Sequence, residues 1–400
     1  MAKSVVRNYL AFQFFFSLLF WFPVFYEYQK QVGLNDVQIF GIQSIYYFAF
    51  CLLELPTGYL ADRFGALLCM RTGSALQVVT NLIPIFFPTY VGFLSAMILV
   101  ALSRSLISGA ASAYLYESLS LEGQTALYKN AEGRARSYSL LGKVAVWPFA
   151  GLLMKLQFNL PYVLTAGASL FAFAISWQFK PLKILPDLIG NRTTSFVKSL
   201  IPAVRGILKS PLLILVVLQG ILIFVFERTV QVNLFQPLLG SRGFAVTSYG
   251  LILAITTVFE AGGSAYPEYW SEWITRIFKS ITPMGMVAIL GVILSMSVFV
   301  ITWSGPIGCV IGLSFFALAI GFTYPSQRQL MNSLVPDSRF RATVLSIESL
   351  LDRAACAVLT LSIGAVVAHG QIDGFLRLIA IFGAMGIGIL FLWFRKLRLG

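Results

Sequence analysis

The sequence predicts an all-α membrane protein: twelve transmembrane helices in two pseudo-symmetric six-helix bundles. Three observations lead there. Of 400 residues, 58% are hydrophobic and only 11% charged, whereas a soluble domain is nearer a quarter charged. The apolar residues fall in continuous runs of about twenty, the length that crosses a bilayer as a helix, rather than in the alternating pattern of a β-barrel. The basic residues gather between the runs, and almost all on one side.

That last point decides how the charge is read. A formal net charge of +13 would suggest nucleic acid in a soluble protein. Here the positive-inside rule accounts for it, so no nucleic-acid partner is expected. The four cysteines, Cys51, Cys69, Cys309 and Cys356, lack metal-type spacing and read as small buried hydrophobes. With one histidine, His369, no zinc-protease motif is possible. There is no Gly-x-Ser-x-Gly elbow and no phosphate-binding Gly-x4-Gly-Lys loop. The chain reads as no enzyme, with no cofactor or metal, and any uphill movement of a solute must draw on an ion gradient.

In order, the expected spans are 8–31, 37–60, 70–88, 91–115, 136–156, 162–180, 211–232, 245–266, 281–303, 306–328, 341–368 and 373–394. The first apolar run is too long for a signal-peptide core and no small-residue cleavage site follows it, so it is expected to be retained. Placing the N-terminus inside puts most Lys and Arg on the inner side, leaving Lys30, Lys155, Arg242 and Arg377 outside. Both termini are then cytoplasmic, in a cytoplasmic or inner membrane. Residues 181–210 form the one clear linker, between a bundle at 1–180 and a second at 211–400. Within it Ser195 to Lys209 reads as an amphipathic helix on the inner leaflet.

An internal repeat supports this division. Glu54 and Asp62 are matched by Glu260 and Glu268, 206 residues on. Arg134-Ala135 and Ser139 are matched by Arg341-Ala342 and Ser346, 207 residues on. Two matches at nearly one shift suggest duplicated halves.

Ionisable residues inside the spans are the site candidates, because each costs roughly 2.5–3.5 kcal/mol at mid-bilayer unless paired or wetted. Glu348 and Asp352, at i and i+4, share a helix face. Carboxylates so close repel, which suits proton uptake and release. Arg353 points about 100° away, towards another helix. Arg104 and Lys143 are the other central charges, in the fourth and fifth spans. Glu27, between Tyr26 and Tyr28, and the adjacent Glu227 and Arg228 lie near outer helix ends, where they either line a mouth or are merely wetted. Glu227 and Arg228 cannot face one another and are expected to reach different partners. Glu54 and Glu260, repeated in both halves, suit a shared structural or gating role. The aromatic run Phe14, Phe15, Phe16, Phe20, Trp21, Phe22 and Phe25 is too dense for one helix stripe, and lipid contact is expected for part of it.

The stretch Glu54-Leu-Pro-Thr-Gly58-Tyr-Leu-Ala-Asp62-Arg63-Phe-Gly65 closes the second span. It resembles the loop-2–3 signature of the major facilitator superfamily, which runs Gly, three residues, Asp-Arg, one residue, Gly, then two basic residues. Gly58, Asp62, Arg63 and Gly65 match; Ala66 and Leu67 stand where the basic pair would be. The two glycines are read as allowing close approach and a tight turn. The resemblance implies alternating access, with Asp62 as an inner gate against the start of the eleventh helix. It also implies an acid at the inner end of the fourth helix, here Glu117, as a latch partner, with Arg63 or Arg71 standing in for the missing base. The Arg104-Ser-Leu-Ile-Ser-Gly109 stretch is similar to the fourth helix of superfamily exporters, with Gly five rather than four residues after Arg. With Glu54-Leu-Pro-Thr-Gly58 it points to the drug–proton antiporter branch. The expectation is a monomeric, proton-coupled exporter of an amphipathic small molecule. The alternatives are a transporter of one anionic or zwitterionic compound such as a siderophore, and a non-transporting receptor.

Overall fold

A computed structural model describes residues 2–182, 204–265, 267–278, 281–335 and 341–399. Among these, all regular structure is helical. Eleven stretches are long and apolar enough to cross a membrane, and the helix Leu160–Ser176 is a shorter apolar one, so the chain is a multi-pass membrane protein. Most of the expected amphipathic segment, 195–203, lies outside the described residues; 204–209 are helical. By compactness the chain divides into Met1–Ser195 with Val246–Ala254, and Phe196–Ala245 with Ile255–Gly400.

The first unit begins with α1 (Ala2–Ser17), a single turn at Phe22–Val24 and α2 (Phe25–Gln31). Pro23 opens that turn, since it has no N–H to give to a preceding helix. The break re-aims the aromatic run. None of its seven side chains is fully exposed, and Trp21 and Phe25 are buried. Trp21 stacks on Tyr162 at 5.6 Å and Phe22 on Trp147 at 5.3 Å. The other five rings stay partly exposed, and a broken helix does not have to place all seven on one stripe.

Next come α3 (Asp36–Phe64), α4 (Ala66–Phe86) and α5 (Tyr90–Leu121). Asn35 and Gln38 cap α3 reciprocally, satisfying two orphan N–H groups. Gly65, at φ +90°, turns the chain from α3 into α4, a conformation that strongly favours glycine. Gly58 does not act as expected: it lies inside α3 with open space where a Cβ would stand. The turning is all done at Gly65. Then follow α6 (Tyr128–Val146), a short turn at Pro148, α7 (Ala150–Leu156) and α8 (Leu160–Ser176).

A buried polar chain ties these helices together. Trp21 Nε1 donates to Asn81 Oδ1 at 2.7 Å, Ser103 Oγ donates to Gln77 Oε1 at 2.9 Å, and the Phe20 N–H donates to Thr165 Oγ1 at 2.9 Å. In a water-free interior such bonds are demanded by the groups themselves.

The second unit contains α9 (Pro211–Glu227), a π-helical turn at Arg228–Asn233, α10 (Phe235–Ser241) and α11 (Val246–Ala265), of which the first part belongs to the first unit. Pro237 cannot donate to the carbonyl of Asn233, which favours the irregular turn just before it. After α11 the chain forms a short helix, α12 (Pro267–Phe278), between the expected spans 245–266 and 281–303. It anchors Ile274 against Leu290 and Phe322. The last helices are α13 (Pro283–Ile301), α14 (Pro306–Leu334), α15 (Arg341–Ala368) and α16 (Ile372–Leu399). Helix α9 packs on α14, α15 and α16, and that packing builds the site.

Candidate functional site

The densest buried charge in the second unit lies where α9, α14 and α15 meet. Glu348 is wholly enclosed and Asp352 is 2% exposed. They sit one turn apart on α15, as their spacing requires, but they do not form a bare pair. Each has its own arginine from a different element. Arg228, first residue of the π turn, places Nη2 3.3 Å from Oδ1 of Asp352 and donates to Oδ2 at 3.4 Å. Arg328 on α14 places Nη1 3.9 Å from Oε2 of Glu348. Both arginines are half-buried. The expected repulsion between two carboxylates is therefore offset by two cations, an arrangement that keeps buried charge tolerable.

Glu348 is also fixed sterically. Gln327 Nε2 donates to Oε1 at 3.3 Å and to the Val216 carbonyl at 2.8 Å. The carboxylate lies over Gly220 of α9, so closely that a Cβ there would collide with it. Arg328 is flanked by the rings of Tyr324 and Phe224, at 5.2 and 5.9 Å from their centroids, positions suited to cation–π attraction. Its Nε, like that of Arg228, is buried without a hydrogen bond.

The other predicted residues do not all converge here. Glu227, last residue of α9, is half-buried and feels Arg228, Glu260 and Asp352 electrostatically. As expected of neighbours on a helix, Glu227 and Arg228 point differently, and Arg228 is the one that reaches α15. Arg353 donates to the Ser349 carbonyl of its own helix at 3.5 Å. Glu260 is half-buried on α11, at the point where the backbone of α14 comes so close that Gly321 has no room for a Cβ. Ser264 Oγ donates to the Gly321 carbonyl beside it. Glu268 falls in α12, and its side chain, like that of Asp62, lies outside the described residues.

In the first unit, Arg104 is half-buried and makes no ion pair or hydrogen bond among the described residues. Lys143 lies 5.8 Å from the Trp147 ring centroid. Glu27 accepts from Gln31 at 3.0 Å, while its flanking tyrosines turn inward: Tyr26 donates to Asp36 and Tyr28 to Asn159, both at 2.6 Å. Glu54 and Glu117 are half-buried on α3 and α5. Arg63 donates to Tyr59 at 3.1 Å and lies over Phe64. Arg71, expected as a stand-in latch, instead donates to the carbonyls of Ser176 and Phe179 and stacks on Trp177 at 4.2 Å. A cation is drawn to the exposed carbonyls at the end of α8.

Sequence reasoning missed Arg328, Gln327 and Gly220. The expected tenth span ends at 328, whereas α14 runs on to Leu334, which sets Arg328 inside a helix and not at a span end. The signal was the continued helical spacing of Leu330, Met331 and Leu334.

Comparison with known proteins agrees with this architecture. A model of the Major Facilitator Superfamily matches residues 8–360. The MFS-type transporter YxaM of Bacillus subtilis (strain 168), described as uncharacterized, is 23% identical over 238 residues, a stretch covering 58% of this chain and 58% of YxaM. The fold is similar to that of the POT family transporter PepTSo, at TM-score 0.77 and 12% identity over 100% of this chain and 98% of that one. It is also similar to the nucleoside transporter NupG, at 0.75 and 13% over 98% and 99%. For a D-xylose–proton symporter the values are 0.72 and 13% over 98% and 95%. At such identities the structural likeness speaks for fold alone, but the superfamily model spans most of the chain, and with it this protein belongs to the Major Facilitator Superfamily, a family of transporters rather than enzymes.

Proposed function

We propose that the chain is a secondary transporter working by alternating access, and that it exports an amphipathic small molecule in exchange for protons. The observation that carries this reading is the pair of enclosed carboxylates, Glu348 and Asp352, each facing a half-buried arginine on another element. A proton arriving on either carboxylate removes the charge that holds its arginine; losing the proton restores it. The helices thereby have two electrostatic arrangements, and a ligand or gradient can bias the choice between them. Arg228 stands at a π turn, a helical irregularity frequent at functional sites. Export and the drug–proton antiporter branch rest on the likeness of Glu54-Leu-Pro-Thr-Gly58 and of the Arg104 stretch. Both termini are placed inside on the lysine and arginine bias. Asp62, Arg63, Gly65, Glu54, Glu117, Glu260 and Glu268 belong in this reading to an inner gate.

The test is flux in proteoliposomes under an imposed pH gradient, using fluorescent cationic, zwitterionic and anionic amphiphiles. Gradient-driven flux in wild type, lost in Glu348→Gln and Asp352→Asn, is the expected result. Flux that ignores the gradient, with both variants equal to wild type, sinks proton coupling. A second reading, transport of an anionic or zwitterionic compound, is favoured by Arg104, a half-buried cation without a partner among the described residues. In that case Arg104→Gln abolishes flux of the anionic probe and spares that of the cationic one.

A further inference from the structure

Outside the charge cluster of the second unit, the first unit holds a carboxylate that nothing above uses. Glu132 lies on the first turns of α6, half-buried. Tyr9 of α1, 1% exposed, donates its hydroxyl to Oε1 at 2.9 Å. Ser112 of α5 donates to the same oxygen at 2.6 Å. A serine hydroxyl has one hydrogen, so with Ser112 committed to Glu132 the 2.6 Å contact between Ser112 and Tyr128 must be a donation from Tyr128. Gln13 in turn donates to Tyr9 at 3.0 Å.

Every hydrogen in this chain therefore points towards one carboxylate. That is how donors are arranged around an anion, and charge-assisted bonds of this kind are the strong ones. Yet no lysine or arginine among the described residues lies within ion-pair distance of Glu132. Both bonds fall on Oε1, and Oε2 accepts none among the described residues. Two aromatic rings join the same cluster: Tyr128, through its hydroxyl on Ser112, and Tyr116, half-exposed, edge-on to Tyr128 at 5.3 Å. Glu348 and Asp352 each face their own arginine; Glu132 is oriented by hydroxyls and has no cation among the described residues.

We propose that Glu132 is a binding site for a protonated amine, with Oε2 taking the ammonium group and Tyr128 and Tyr116 packing against the carbon skeleton. An ammonium supplies the missing positive charge, and an aromatic face beside it adds cation–π attraction. This deepens the amphipathic-substrate reading and rests on it, by assigning the ligand a cationic amine and a place in the first unit. The plainer role, in which Glu132 serves only as acceptor for the buried Tyr9 hydroxyl, predicts a different outcome, because a glutamine amide oxygen still accepts that hydrogen and amine preference would be unchanged.

The probes are 2-phenylethylammonium and, as the neutral control of the same skeleton, 2-phenylethanol. Equilibrium binding is measured on the purified full chain in detergent. Wild type is expected to bind the ammonium at least tenfold more tightly than the alcohol. Glu132→Gln is expected to lose that tenfold preference while keeping the thermal stability of wild type. Tyr128→Lys, which places a resident ammonium beside the carboxylate, is expected to lose it too and serves if the first variant folds poorly. Equal binding of amine and alcohol by wild type, or an undiminished amine preference in both variants, overturns the proposal. Gradient-driven flux is measured on the same preparations. Glu132-dependent amine binding without driven flux sinks the transport reading alone; driven flux with Glu132-independent binding sinks this site alone.

Discussion

Gly220→Ala is the sharpest probe of the buried charge site. A Cβ at 220 would stand 2.6 Å from Gln327 Nε2 and 2.9 Å from Glu348 Cδ, and closer still to Oε1. Ordinary carbon–oxygen contact begins at about 3.3 Å. The amide must therefore retreat by about 0.7 Å, and the carboxylate by more. Neither has room: Glu348 is fully enclosed and Gln327 is already bonded to Val216. Overpacking of this kind costs about 1–3 kcal/mol, and losing the Gln327–Glu348 bond adds about 1.5 kcal/mol as a hydrogen bond to a charged group. Alanine regains about 1 kcal/mol over glycine in helix propensity, so the net loss is about 1.5–3.5 kcal/mol. Thermal unfolding in detergent, alone and in a Glu348→Ala background, measures it. With the carboxylate removed the cost should vanish and turn into a gain of up to about 1 kcal/mol. If Gly220→Ala is harmless, or equally harmful with and without Glu348, the steric account of this site is wrong.

Two further perturbations read the same interior. Arg328→Met leaves Glu348 buried without its cation and should cost near the lower end of ~3–5 kcal/mol, because Arg328 keeps some exposure; Arg328→Met with Glu348→Met should recover most of it. Full loss in both the single and the double variant, read by chemical denaturation, would mean that the pair is not what holds α14 to α15. Asn81→Leu strips the buried Trp21 N–H of its acceptor at 2.7 Å and should cost about 1–3 kcal/mol. Trp21→Phe in that background should restore part of the melting temperature, and no such rescue would assign the loss to packing alone.

Much of the fold was legible because membrane helices announce themselves by length and apolarity. The eleventh expected span, 341–368, coincides with α15, and the eighth and ninth fall within two residues of α11 and α13. Helix interruptions were less legible. Hydropathy is continuous across Pro23 and Pro148, and a window that averages apolarity does not register a missing N–H. Helix α12 went unseen because it has only 12 residues, too few to read as a span. In the site, Glu348 and Asp352 stand out as charges where lipid forbids them, while Arg228 reads only as a charge near an outer helix end. Their pairing did not, since it depends on which helix packs on which, and i, i+4 spacing carries no information about a partner more than a hundred residues away.

The contrast between the two units bears on where an outside ligand would find a counter-charge. In the second unit the enclosed acids are neutralised from within, by Arg228 and Arg328. A ligand there has to compete with a resident ion pair. In the first unit Arg104 and Glu132 lie on α5 and α6 with no ionic partner among the described residues. Ser112, which holds Glu132, is eight residues from Arg104 on α5, a rise of about 12 Å. Desolvated charge is expensive, so Arg104 and Glu132, half-buried and without an ionic partner among the described residues, are either wet or reserved for a ligand. A solute carrying charge is therefore expected to dock first on the first unit. Amine affinity that follows Glu348→Gln rather than Glu132→Gln would reverse that order.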